Sequence, residues 1–505
     1  MRILTMRRLA TTAALASLLL VAACGSSGSS SPTGSASKSG SSTSQTVTVA
    51  VPGDITNFSP FTDYLIEYRY AIFNTVFDPL VKYTPTLGIS ADLAASYSSN
   101  ANATVWTFNL RHGVKFTDGE AFNAAAAIAS LKEAVSTKSI FAAPLATVTS
   151  YSAPTPYQLV IKLSAPYAAF LDGLAEVAMV APNTLSTAQK TPVGTGPFKF
   201  VSWTPNSQIV LARNDSYFGA KSAYKSLIFK PVTDPTVAMT DLDAGDVDIV
   251  ANVPTSVTKQ LNASQAKVVQ PPTSNALELI EFNSSGKLAN PLVRQALAYA
   301  LNKPAVNQIA YNGQGTLTWT PISPSSFAYQ NEAGYTYNLA KAKSLLAQAG
   351  ESHLSLSLIM PTGYPDAQQL GRVWQASLSQ IGVTLNVDVL PLSTWLTKYV
   401  GVDYDMSWNT FNASADPNSF FSIIMPGHKK DFHNAQFYSE ITQGVSVTSQ
   451  ASRAAVYRTL QNTLVSQLPV MIVMRTPILS VASTKVSGYA VNPLGWGLYT
   501  DVKVG

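Results

Sequence analysis

Between Leu354 and Leu390 the chain reads as a strand, a helix and a second strand, and that order constrains the fold more than any other feature. "LSLSLIM" (354–360) and "TLNVDVL" (384–390) alternate at the period of a strand, while 366–381 keeps helical spacing. The alternation of strand and helix runs through both halves. "TVTVAV" (46–51) is a strand closed by Pro52-Gly53. Residues 103–135 give a strand, a turn at Thr117-Asp118-Gly119 and an alanine-rich helix, and "YQLVIKLS" (157–164) is another strand. Residues 192–219 hold two strands around a Thr-Pro-Asn turn. In "DPTVAMTDLDAGDVDIV" (234–250) a helix stops at Gly245, which supplies a left-handed C-cap before a short strand. "ALELIEFNSS" (276–285) is a strand, 290–315 is a helix pair with Pro291 at a favoured start, and 338–350 and 451–467 are helices, the last leading into "PVMIVMR". These elements predict an α/β fold with mixed sheets. The body beginning near Thr46 has roughly 460 residues, more than one core usually covers, so two or more domains are expected.

The N-terminus is of another kind. "MRILTMRR" carries three arginines and no acid, and "LATTAALASLLLVAA" (9–23) is uncharged, the pattern of an export signal. This apolar run is shorter than the roughly 20 residues a spanning helix needs. It ends in Val21-Ala22-Ala23-Cys24, which holds the sole cysteine of the chain and resembles the lipobox of bacterial lipoprotein signals. The resemblance implies that residues 1–23 are removed, that Cys24 carries the lipid, and that the body is tethered to the outer face of the cytoplasmic membrane. The alternative is a plain secretory signal with a cysteine near its cut. Residues 25–45, rich in Ser and Gly, read as a disordered linker spanning about 25 Å.

Several functions are disfavoured. Formal charge is +5, three of the cations leave with the signal, and no basic run longer than two follows, so no nucleic-acid surface is expected. The histidines His112, His353, His428 and His433 form no His-x-x-x-His pair, and "PGHKKDFH" reads as a solvated loop, so neither metal nor cofactor is expected. No Gly-x-Ser-x-Gly elbow occurs, and Gly194-Thr195-Gly196 reads as a tight turn between packed segments. No catalytic residues are assigned, and an enzyme is not expected.

Five pieces in order, "WTFNLRHGVKFTDGEAFNAAAA", "PVGTGPFKFVSW…ARNDSYF", "LDAGDVDI", "NPLVRQALAYALNK" and "AKSLLAQAG", resemble the extracytoplasmic solute-binding proteins of the peptide/nickel class of ABC importers. The resemblance implies a two-lobe periplasmic-binding-protein-like fold with a ligand cleft between the lobes. Lobe I would take 46–283 and 477–505, with an inserted subdomain near 90–190, and lobe II would take 284–476. The chain would cross at Phe282-Asn283 and Arg475-Thr476. It further implies a monomer that closes on a small-molecule or peptide ligand and presents it to the permease subunits.

Peptide binders of this family commonly hold the ligand ammonium with an aspartate three residues before an Asp-Pro or Glu-Pro pair. Here the pair is Asp416-Pro417 and the earlier residue is Ala413; the Asp-Pro turn itself reads as structural. The loop "PTGYPDAQQ" (361–369) also lacks the arginine that dipeptide binders use for the carboxylate. Three ligands stay open: a longer peptide held by backbone hydrogen bonds, an uncharged oligosaccharide stacked on aromatic faces, or a metal chelate. A ligand-sensing receptor on the same scaffold is the alternative role. Candidate ligand-binding residues are Tyr64, Thr195, Asn275, Trp395, Trp408, Phe411 and Asn412, although core packing suits each aromatic equally. Trp408→Ala is expected to weaken binding and spare stability, and dipeptides are expected to bind poorly.

Overall fold

A computed structural model describes residues 45–63, 69–259, 261–331, 333–351 and 353–505. Among the described residues three main sheets form. In the first, Thr46–Val51 lies between Ser226–Pro231 and Ile249–Val250, parallel to both, and the order continues outward to Phe198–Thr204 on one side and Ala266–Val269 on the other. Its valines alternate into a core with no exposure at Val47 and Val49, which is why "TVTVAV" holds its register. Strand Ser480–Ser483 returns from the C-terminus to pair between Ile249–Val250 and Ala266–Val269.

An antiparallel four-stranded sheet, with edges Ala94–Ser99 and Val148–Thr155, is covered by helix Ala124–Ser136. Its buried apolar side chains belong to the same continuous core as those of the first sheet. The Gly194-Thr195-Gly196 turn lies against the backbone of Thr75 and Val76. A Cβ at Gly194 would stand 2.1 Å from Val76 O, and one at Gly196 would stand 2.6 Å from Thr75 O. Only glycine permits that approach.

The third sheet orders Thr316–Leu317, Val470–Arg475, Ala276–Phe282, Met406–Asn412, Leu354–Pro361 and Val383–Leu390. The strand–helix–strand unit of the sequence appears as Leu354–Pro361, helix Pro365–Ser379 and Val383–Leu390, with the two strands parallel. Trp374 of that helix is fully buried and donates to Leu297 O at 3.0 Å. Helices Pro291–Tyr299 and Lys303–Tyr311 start at Asn290 and Asn302, whose side chains accept from Leu292 N and Ala305 N.

One boundary differs from the expectation. Strand Ala276–Phe282 pairs on both sides within the third sheet, so it belongs to lobe II and the first crossing is near Asn275, not Phe282-Asn283. Leu279, Ile280 and Phe282 have no exposure there, and burying each is worth about 1.5–3 kcal/mol. The second crossing joins Val470–Arg475 of this sheet to Ser480–Ser483 of the first.

Candidate functional site

The seam between the lobes starts at the crossing segments. Asn275 has no exposure. Its N–H donates to Pro493 O of lobe I at 3.0 Å, its Nδ2 donates to Ala413 O at 2.8 Å, and its Oδ1 accepts from Ser323 Oγ at 2.8 Å. Asn412, the last residue of its strand, donates from Nδ2 to Leu494 O of lobe I at 3.0 Å. Both residues therefore fasten the crossing.

Farther out, the lobes touch on two flanks. On one, Asn312 Nδ2, after helix Lys303–Tyr311, donates to Thr255 Oγ1 at 3.0 Å. On the other, Ser414 Oγ donates to Asp172 Oδ2 at 2.7 Å, Asn418 Nδ2 to Tyr167 Oη at 3.2 Å, and Ala168 N to Val445 O at 2.7 Å. Lobe I supplies segment 167–176, and lobe II supplies loop 414–418.

The sequence candidates fall into different places. Tyr64 and Cys24 lie outside the described residues. Thr195 is buried in lobe I and donates to Asp78 Oδ2 at 2.7 Å, while Tyr217 donates to the other oxygen at 3.1 Å. Burial, and then the Asp92 charge, push the Asp78 carboxyl up to about 7 against these donors. Trp408 is 3% exposed and donates from Nε1 to Glu278 Oε1 at 2.7 Å; its ring packs 4.9 Å from Tyr364 at the start of helix Pro365–Ser379. Burial raises Glu278 to about 7 despite this bond and one from Tyr311. Trp395, on helix Leu392–Gly401, donates to Ser407 Oγ at 3.2 Å and stacks on Tyr399. Phe411 is half-buried and meets Phe420 edge-on. Asn275 and Asn412 thus meet at the crossing, whereas Thr195 and Trp395 are engaged within their own lobes.

His428 is not a solvated loop residue. It is buried between Glu281, 2.9 Å from Nε2, and Asp431, 3.6 Å from Nδ1. Burial alone would depress its pKa, but the two carboxylates prevail and raise it to about 9. Tyr399 and Asn409 also donate to Glu281, so the group pins loop 424–433 to the central strand of lobe II.

Residues 88–431 match the sequence profile of the bacterial extracellular solute-binding proteins, family 5 Middle. The chain belongs to this family. Over 475 residues it is 25% identical to the glutathione-binding protein GsiB of Pectobacterium atrosepticum, covering 88% of this chain and 91% of that one. Its fold matches the dipeptide binding protein of Pseudoalteromonas sp. SM9913, solved with Met-Leu, at TM-score 0.82 and 20% identity over 91% of this chain and 100% of that one. NikZ of Campylobacter jejuni, solved with Ni(L-His), matches at TM-score 0.80 and 22% identity over 90% and 97%. As a family 5 solute-binding protein of ABC importers, the chain binds a solute and does not transform it.

Within this solute-binding protein the sequence reading missed Asp172, Glu176, Tyr167 and Asn418. One signal was present: Asp172 and Glu176 are the only charges between Ala165 and Val180, four residues apart in an otherwise apolar run. Arg453 was missed as well. It grips Asp416 through Nη1 at 2.9 Å and Nη2 at 2.8 Å.

Proposed function

We propose that this family 5 protein is a lipid-anchored receptor that captures a peptide-like solute in the seam between its lobes and delivers it to an ABC permease. The observation that carries this reading is the pairing of 167–176 with 414–418 by side-chain hydrogen bonds, one flank of a seam formed by both lobes. A solute held there contacts both halves at once and favours the closed arrangement by its differential affinity. Two similar proteins bind short peptides: GsiB is described as glutathione-binding, and the Pseudoalteromonas protein was solved with Met-Leu. Cys24 would hold the monomeric body to the outer face of the cytoplasmic membrane through the Ser/Gly linker.

Native mass spectrometry of the protein as purified, followed by denaturing release, tests the solute. A peptide in the released fraction supports the reading, and a saccharide or metal chelate replaces it. Membrane fractionation of Cys24→Ser tests the anchor: release of the variant into the soluble fraction is expected, and retention in the membrane fraction contradicts it.

A further inference from the structure

Where segment 167–176 meets loop 414–418, each lobe contributes an acid. Asp172, in the short helix Phe170–Leu174 of lobe I, accepts from Ser414 Oγ of lobe II at 2.7 Å. Two residues beyond Ser414 stands Asp416, whose charge weighs more on Asp172 than any other. Asp416 is already paired: Arg453 bonds both of its oxygens, and Oδ1 also accepts from Asn418 N at 2.9 Å. The guanidinium is committed there and, through Nε, to Gly444 O at 2.8 Å.

The other groups around Asp172 bring no cation to it. Glu176, on its own segment, is a second acid. Tyr83 donates its hydroxyl to the Asp172 carbonyl at 3.0 Å and also reaches the carboxyl. Lys82, beside it in strand Val81–Tyr83, turns instead to Asp92 at 2.8 Å. Segment Ile140–Thr147, packed on the short helix, has no titratable side chain, and Ala435–Ser446 meets 167–176 through the bond from Ala168 N to Val445 O. Asn418 supplies an independent observation. It is 4% exposed and bonds Tyr167 Oη through Nδ2 across the seam, yet its Oδ1 is buried with no partner. Acceptors thus outnumber donors here, and a buried acceptor without a donor is costly.

A proton on Asp172 answers both shortages: it removes one of the facing negative charges and adds an O–H donor. We infer that Asp172 is a proton-operated latch, whose neutral acid lets 167–176 lie against 414–418 and whose anion, facing Asp416 and Glu176, drives the lobes apart. Burial, and then the Asp416 charge, hold its carboxyl well above the usual carboxylate range while the lobes are joined. A group raised in this way favours the joined form while protonated and opposes it as pH climbs through the raised value. The joined form therefore gains at acid pH, and a solute that favours the same form binds more tightly there. The inference rests on the reading of the seam as the place where the lobes part, and it adds a pH control to that motion.

Small-angle X-ray scattering of the cargo-stripped full chain, carrying Cys24→Ser, tests the latch by its radius of gyration between pH 5 and pH 8. The radius is expected to grow as pH rises. Asp172→Asn, neutral throughout, is expected to keep the smaller radius at every pH. Glu176→Gln, which removes one repelling acid and leaves the latch residue in place, is expected to move the transition to higher pH; it serves even if Asp172→Asn perturbs folding. A wild-type radius that does not change with pH overturns the latch, as does an unaltered transition in both variants. The native cargo, added back at pH 8, separates this failure from failure of the seam reading. Contraction on cargo without any response to pH overturns the latch and leaves the seam reading intact, and a radius that responds to neither counts against both.

Discussion

Ser414 Oγ donates to Asp172 Oδ2 at 2.7 Å, across the lobes and across 242 residues of sequence. The bond sits where burial and two neighbouring acids hold the Asp172 carboxyl well above the usual carboxylate range. An acid whose folded pKa exceeds its unfolded value costs native stability once it must ionise, so the penalty grows as pH rises and is absent where both states are protonated. Asp172→Asn is therefore expected to raise the thermal midpoint of the ligand-free protein at pH 7, with the gain fading toward pH 4. Scanning calorimetry at both values checks this.

Arg453 is 4% exposed and gives both terminal nitrogens to Asp416. Removing one partner leaves a buried charge alone, so Arg453→Ala is expected to cost about 3–5 kcal/mol in urea unfolding. Arg453→Lys should recover only part, because an ammonium cannot reproduce the two parallel bonds.

Trp408 is where the sequence expectation and the structure part. A ligand-facing tryptophan could be truncated with stability intact, but this one is packed and bonded to Glu278. Trp408→Ala is expected to cost about 3–5 kcal/mol. Trp408→Phe keeps most of the ring volume but leaves the buried Glu278 oxygen without its donor, a loss of about 1–3 kcal/mol in the same assay.

The His428 pKa, raised from 6.5 to about 9, ties stability to pH in the opposite sense. A histidine with a raised folded pKa stabilises fully below its unfolded pKa and loses that contribution as pH climbs through the folded one. Unfolding free energy should fall by roughly 3 kcal/mol between pH 6.5 and 9 on this account alone. In His428→Gln that part of the slope should vanish, as denaturant titrations at both pH values would show.

Local structure was legible because periodicity and caps are local. The turn at Gly245 adopts φ 81° as its C-cap role demands, and helix Gln450–Gln467 lies within a residue of its expected start. Partners were not legible. "ALELIEF" reads as a strand in any lobe, and only its pairing with 406–412 and 470–475, more than a hundred residues away, assigns it to lobe II. The site was harder still. Asn412 stood out by its place in a motif, yet Asp172 gains its meaning only from Ser414, and nothing at either position announces the other. His428 looked solvated because its neighbours Lys429 and Lys430 are, while the acids that bury it come from Glu281 and Asp431.

The central claim is that solute enters only when the lobes part. Thr255 Oγ1 and Asn312 Nδ2 lie 3.0 Å apart across the lobes, so a Thr255→Cys/Asn312→Cys pair in a Cys24→Ser background, once mass spectrometry shows its disulfide formed, bolts the seam shut. Uptake of the native cargo by the cargo-stripped variant is then measured by native mass spectrometry, oxidised and reduced. The account predicts no uptake by the oxidised form and full uptake on reduction; equal uptake by both forms would contradict it.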